Sequence, residues 1–100
     1  MSSSADLARL NIDDFTAHEG RVFEMQAVDR ALPLKLIKVE PAGHSGRLGG
    51  AFSLVFAAPR DCSLPQAIYP VAHPSLGTME IFLVPIGPMA DGNGYQAIFT

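Results

Sequence analysis

Apolar and polar positions begin to alternate at Arg21. Val22, Glu24, Gln26 and Val28 interleave with Phe23, Met25 and Ala27, and the second set is apolar throughout. This period-two pattern belongs to a strand with one face buried, and it predicts a strand over residues 21 to 28. Residues 34 to 40 alternate in the same way until Leu36 and Ile37 fall side by side. One extra residue at that point predicts a β-bulge, which bends a strand and helps a sheet to curl. Pro41 ends this strand, and the glycines between residues 42 and 50 predict a flexible loop.

The segment from 51 to 57 gives the cleanest core strand, with Phe52, Leu54 and Phe56 on one face and Ser53 and Val55 on the other. Further strands are predicted at 66–72, 78–86 and 94–99. A turn-rich connector over 58–65 precedes them, and the cluster Asp91-Gly92-Asn93-Gly94 reads as the turn of a final hairpin. Ahead of the strands, Asn11 suits a helix cap, Asp13 and Asp14 suit the first turn, and Gly20 offers a stop. A short helix is expected there, with Ile12 and Phe15 pinned to the sheet. The fold class is therefore all-β, mainly β: an antiparallel meander of about six strands rolled into a small barrel or sandwich, with a short N-terminal helix. Residues 1–10 read as a flexible N-terminal segment and 11–100 as a single β domain.

The chain has 100 residues, enough for one core. Only 17% of them are charged, against a usual value of about 25%, while 48% are hydrophobic. Apolar surface should remain after the core is filled, and such surface marks interfaces, so a homo-oligomer or a protein partner is expected. An edge strand in the hairpin over 78–99 is the expected place of contact. The net charge of −3, with seven scattered Lys and Arg, cannot build the basic stripe that phosphate binding needs, so nucleic acid is excluded as a main partner. The single cysteine, Cys62, forms no internal disulfide, and no run approaches the length of about 18 apolar residues that a membrane span needs. A soluble cytoplasmic protein is expected.

The residues that bear chemistry form no strong constellation. Asp13 and Asp14 are adjacent and point apart on a helix, which fits the dipole role better than a catalytic or metal pair. His18 fits a helix C-terminus, and His44 fits a Gly-rich loop. His73 stands between strands and is followed by Pro74, which holds it extended. Cys62, between Asp61 and Ser63, has no neighbour that would activate a thiol. Gly46-Arg47-Leu48-Gly49-Gly50 lacks the Lys-Ser/Thr ending of a phosphate loop, and Asp91-Gly92-Asn93 is only a fragment of a calcium loop. No catalytic residue and no cofactor is indicated.

One partial pattern concerns His73 and Glu80. Cupin barrels carry two histidines one residue apart, then a Glu, then six residues and a Gly. This chain resembles that run in His73-Pro74-Ser75, Glu80 and Gly87, but Ser75 stands where the second histidine would be and Ala67 replaces the leading glycine. The resemblance makes His73 and Glu80 the candidate metal ligands, too few by themselves for a stable first-row site. His73 is expected instead to be a turn residue with its ring hydrogen-bonded locally.

A second resemblance covers most of the chain. Phe52-Ser-Leu-Val-Phe, Tyr69 with His73-Pro-x-Leu-Gly, Glu80-Ile-Phe-Leu-Val-Pro-Ile-Gly-Pro and Tyr95-x-Ala-x-Phe resemble a family of small bacterial proteins known only as a domain of unknown function, over residues 11 to 100. The family has a Gly before the tyrosine of the second block, where this chain has Ile68. Genes of this family sit beside those of phage-tail-collar or microcystin-dependent-type proteins, so the resemblance implies a structural or accessory role and supplies no catalytic residues. The resulting expectation is a non-enzymatic β interaction or structural module, accessory to a phage-tail-like or surface-fibre assembly. A cupin-like barrel that binds a small molecule or metal is the alternative, and an enzyme the third reading.

Overall fold

A computed structural model of the chain describes residues 12–26, 30–41, 51–61, 64–90 and 92–99. The alternation read from the sequence becomes alternating burial. In β1 (Val22–Gln26) Phe23 and Met25 point inward, and in β2 (Ala31–Pro41) Leu32, Leu34 and Leu36 do. In β3 (Phe52–Ala58) the inward row is Phe52, Leu54 and Phe56. Val71 of β4 (Ala67–His73), Met79, Ile81 and Leu83 of β5 (Gly77–Met89) and Tyr95, Ala97 and Phe99 of β6 (Gly92–Phe99) complete one core. Each fully buried Leu, Phe or Met contributes about 1.5–3 kcal/mol of transfer free energy, so this core is the main stabilising term. Among the described residues it contains no buried polar or charged residue and no buried side-chain N or O without a partner.

The strands form one closed antiparallel barrel in the order β1-β2-β3-β6-β5-β4. Closure is made at a short seam, where Glu24 pairs with Ala72 and Met25 with Val71. Two expectations are thereby corrected. A closed barrel has no open edge, so the hairpin over 78–99 offers no unpaired strand to a partner. The order is also not a simple meander, because β3 and β4 stand on opposite walls of the six-strand ring. The connector between them must cross a barrel end. Tyr95 anchors it there: the Leu64 N–H donates to the tyrosine hydroxyl at 2.9 Å. The Tyr69 hydroxyl donates to the Pro65 carbonyl at 2.6 Å, and the Asn93 amide donates to the Arg60 carbonyl at 2.9 Å.

The predicted bulge is present. Leu36 pairs with Phe56 and Lys38 with Val55, which leaves Ile37 as the extra residue. On the other side of β2 the Leu36 carbonyl accepts from Gly20 N at 2.7 Å, and the Leu36 N–H donates to the Arg21 carbonyl at 2.9 Å. These bonds tie the turn after the helix to the bulge. The helix itself, α1 (Ile12–Thr16), is short and plugs the barrel end opposite the connector. Its buried Phe15 lies 5.6 Å from Phe52 and 5.5 Å from Phe99, centroid to centroid.

The glycine-rich cluster near the C-terminus is strand and not turn. β5 runs to Met89, β6 starts at Gly92, and those two residues pair. Gly92 has φ 141°, and a Cβ on it would collide with the Ala58 carbonyl oxygen. A glycine is needed there for close approach of two backbones rather than for reversal of the chain. The expected flexible segments at 1–10 and 42–50, and with them Asn11, His44, Cys62 and Asp91, lie outside the described residues.

Candidate functional site

His73 is the last residue of β4, and the turn that follows determines its role. Pro74 opens the turn, the Leu76 N–H donates to the His73 carbonyl at 3.1 Å, and Gly77 with φ 81° returns the chain into β5. The Ser75 N–H donates to His73 Nδ1 at 3.0 Å. The ring is thus bonded locally, and its neutral form carries the proton on Nε2.

The structure does not bring the two candidate ligands together. Along β4 the inward positions run through Tyr69 and Val71 to His73, while along β5 Met79 and Ile81 point inward and Glu80 between them is exposed on the outer face. His73 and Glu80 therefore belong to opposite faces of the sheet. Among the described residues no group of three or more His, Cys, Asp or Glu is placed to hold a metal ion. The barrel interior, where a cupin-like ligand would sit, is filled by aromatic and aliphatic side chains.

The neighbour that His73 does acquire is His18, in the turn after α1. The ring centroids are 4.0 Å apart, and the His73 ring also packs at 4.7 Å on Phe23. Desolvation by burial, followed by the nearby His18 and Arg21, holds the His73 imidazole below the ordinary histidine value. No sequence signal marks this pairing, because the two residues come from distant turns that meet only when the barrel closes. A groove of about 710 Å³ opens beside them over the β1–β4 seam, lined in part by Val22, Glu24, Pro33, His73 and Thr78. Its one carboxylate in this set, Glu24, accepts a hydrogen bond from Gln26 at 3.2 Å.

The outer wall is divided more sharply than the groove. β1 and β2 carry Glu24, Lys35, Lys38 and Glu40, with Lys38 and Glu40 paired at 3.2 Å in solvent. β3, β4 and β6 contain no Asp, Glu, Lys or Arg, and β5 contains only Glu80. On this uncharged wall Ile68 is 62% exposed, Phe82 50% and Ile98 60%. Ile68 and Phe82 are cross-strand partners. Ile98 lies on β6 two residues beyond Gln96, where the β5–β6 pairing ends, and pairs with Ser53 of β3. Ile68 and Phe82 thus form an exposed cross-strand pair, with Ile98 a separate exposed side chain on the next strand in the barrel order. Of the six phenylalanines, Phe82 alone is not buried. The sequence indicated leftover apolar surface, but it placed that surface at an edge rather than on a face.

A family model described as a domain of unknown function, DUF6916, matches residues 10–99. No curated protein and no solved structure matches the chain. No helix among the described residues is long and apolar enough to cross a membrane.

Proposed function

The chain belongs to the DUF6916 family, and we propose that it is a non-enzymatic interaction module that joins a second copy of itself through the outer wall of β4, β5 and β6. One observation carries the reading: the exposed Ile68–Phe82 pair and the exposed Ile98 on a wall with Glu80 as its single strand charge. A closed barrel cannot recruit a partner by strand addition, so association has to use a face. A face with so little charge favours a partner that is itself nearly uncharged at the contact, because burying an unpaired charge against it is unfavourable. The same wall of a second copy meets that condition, and a two-fold axis sets like against like. A specific interface takes about 800 Å² from each partner, roughly a seventh of the 5835 Å² surface of this chain.

Among the described residues the barrel interior is filled by aromatic and aliphatic side chains, which favours this reading over a cupin-like barrel with its ligand inside. In a bacterial phage-tail-like or surface-fibre assembly, such a pair would act as an accessory joint, in keeping with the gene neighbourhood that the family resemblance implies. Light scattering across a hundredfold dilution tests the association. The dimer mass should persist for the native chain and fall to that of a monomer for Phe82→Glu, with far-UV circular dichroism unchanged. A monomeric native chain at high concentration would overturn the reading.

A further inference from the structure

His18 and His73 reach each other from two turns at the plugged end of the barrel, and the connection between them is mechanical as well as electrostatic. The His18 N–H donates to the Phe15 carbonyl and the Arg21 N–H to the His18 carbonyl, both at 2.9 Å. The turn that carries His18 therefore runs directly into the Phe15 plug on one side and the start of β1 on the other. His73 is fixed by Ser75 and packed on Phe23.

We propose that the His18–His73 contact is a pH-sensitive latch that holds α1 over the barrel end while the His73 ring is neutral and loosens it when that ring becomes charged. At a centroid separation of 4.0 Å the neutral His73 ring packs well on His18, whereas an imidazolium there is held partly desolvated against the unfavourable field of His18 and Arg21. Protonation of His73 at Nδ1 also costs its bond from Ser75. The permanently charged Arg21 adds to the repulsion. No carboxylate is among the groups that shift His73. Glu24 on β1 is engaged by Gln26, and Glu80 lies on the outer face of β5. Glu19 is exposed in the His18 turn, and Asp13 and Asp14 belong to the first turn of α1.

The direction follows from linkage. The folded-state value of His73 lies below its unfolded value near 6.5, so the unfolded chain binds more protons in that range. Stability is full above the unfolded value and falls as pH drops through the folded one. The loss is centred on this end of the barrel, because the contact joins the α1 turn to the β4–β5 turn over Phe23 of β1. Acid would thus uncover the apolar ring of Phe52 and Phe99 beneath Phe15, a response independent of the dimer face.

Two measurements on the full chain decide the matter. In an NMR titration of the His73 Cε1 proton, His18→Gln should raise the His73 midpoint, since it removes one of the influences that lower it. Hydrogen exchange of the amides from 15 to 20, corrected for intrinsic rates, should speed up at least tenfold between pH 7.5 and pH 5 in the native chain and far less in His18→Gln. A His73 midpoint unmoved by His18→Gln, or exchange of these amides that is equally insensitive to pH in the native chain and the variant, would overturn the latch.

Discussion

Phe52 and Phe99 stand opposite each other on β3 and β6 with their rings stacked, centroids 4.7 Å apart and planes within 8°. Phe15 sits against both, at 5.6 and 5.5 Å. A five-residue helix has little stability of its own, so α1 exists because this aromatic pair gives its one buried side chain a place to dock. Phe15→Ala should therefore cost about 3–5 kcal/mol. Chemical denaturation reads the cost directly, and a loss below about 1 kcal/mol would show that the plug does not contribute to folding.

Phe56 tests the barrel core in the same way. It is fully buried, with its ring edge-on to Phe23 at 5.5 Å. Phe56→Ala leaves a cavity between two walls that cannot collapse independently and should cost about 3–5 kcal/mol in the same assay.

Gly92→Ala should destabilise the chain by more than about 1 kcal/mol, although the change adds one methyl group. The φ of 141° is unfavourable for an L side chain, and the new Cβ would meet the Ala58 carbonyl oxygen, which is backbone and cannot rotate away. Gly20→Ala serves as a comparison: its φ of 85° is also unfavourable, but nothing lies within 4 Å of the added carbon. Thermal unfolding of both variants separates steric from conformational cost, and an equal loss in the two would refute the collision.

Tyr95→Phe removes the hydroxyl that holds Leu64 across the connector end. The expected loss is about 1–2 kcal/mol, since the Leu64 N–H loses its partner in a partly buried site. Exchange at the Leu64 amide should rise with it. Unchanged protection at Leu64 would assign the connector's position to the Tyr69 and Asn93 bonds instead.

Much of the fold was legible because local physics determines it. Alternation fixed the inward rows of β1 and β3, and the Leu36–Ile37 phase slip marked the bulge that the β2–β3 register shows. Pro74 and Gly77 identified the turn in which His73 sits. What the sequence withheld depends on distant contacts. Nothing in the connector states that it spans to the opposite wall, since strand order is settled by which edges meet when the barrel closes. Gly92 and Gly94 read as turn residues because their composition is that of a turn; only the approach of the Ala58 carbonyl to Gly92, and of the Met89 and Ile86 side chains to Gly94, gives the strand reason. The His18–His73 contact is a product of chain closure and the Ile68–Phe82 pair a product of register. The partial cupin-like spacing made His73 and Glu80 the candidate metal ligands, and the sheet sets them on opposite faces.

The central claim is that two copies meet through the β4–β5–β6 wall, and isotope-filtered NOE spectroscopy on a mixture of 13C-labelled and unlabelled chain tests it most directly. The account predicts intermolecular contacts from the Phe82 ring and the Ile68 and Ile98 methyl groups, lost in Phe82→Glu. Intermolecular contacts confined to the charged β1–β2 wall, or none at concentrations where the native chain is held to be a dimer, would contradict it.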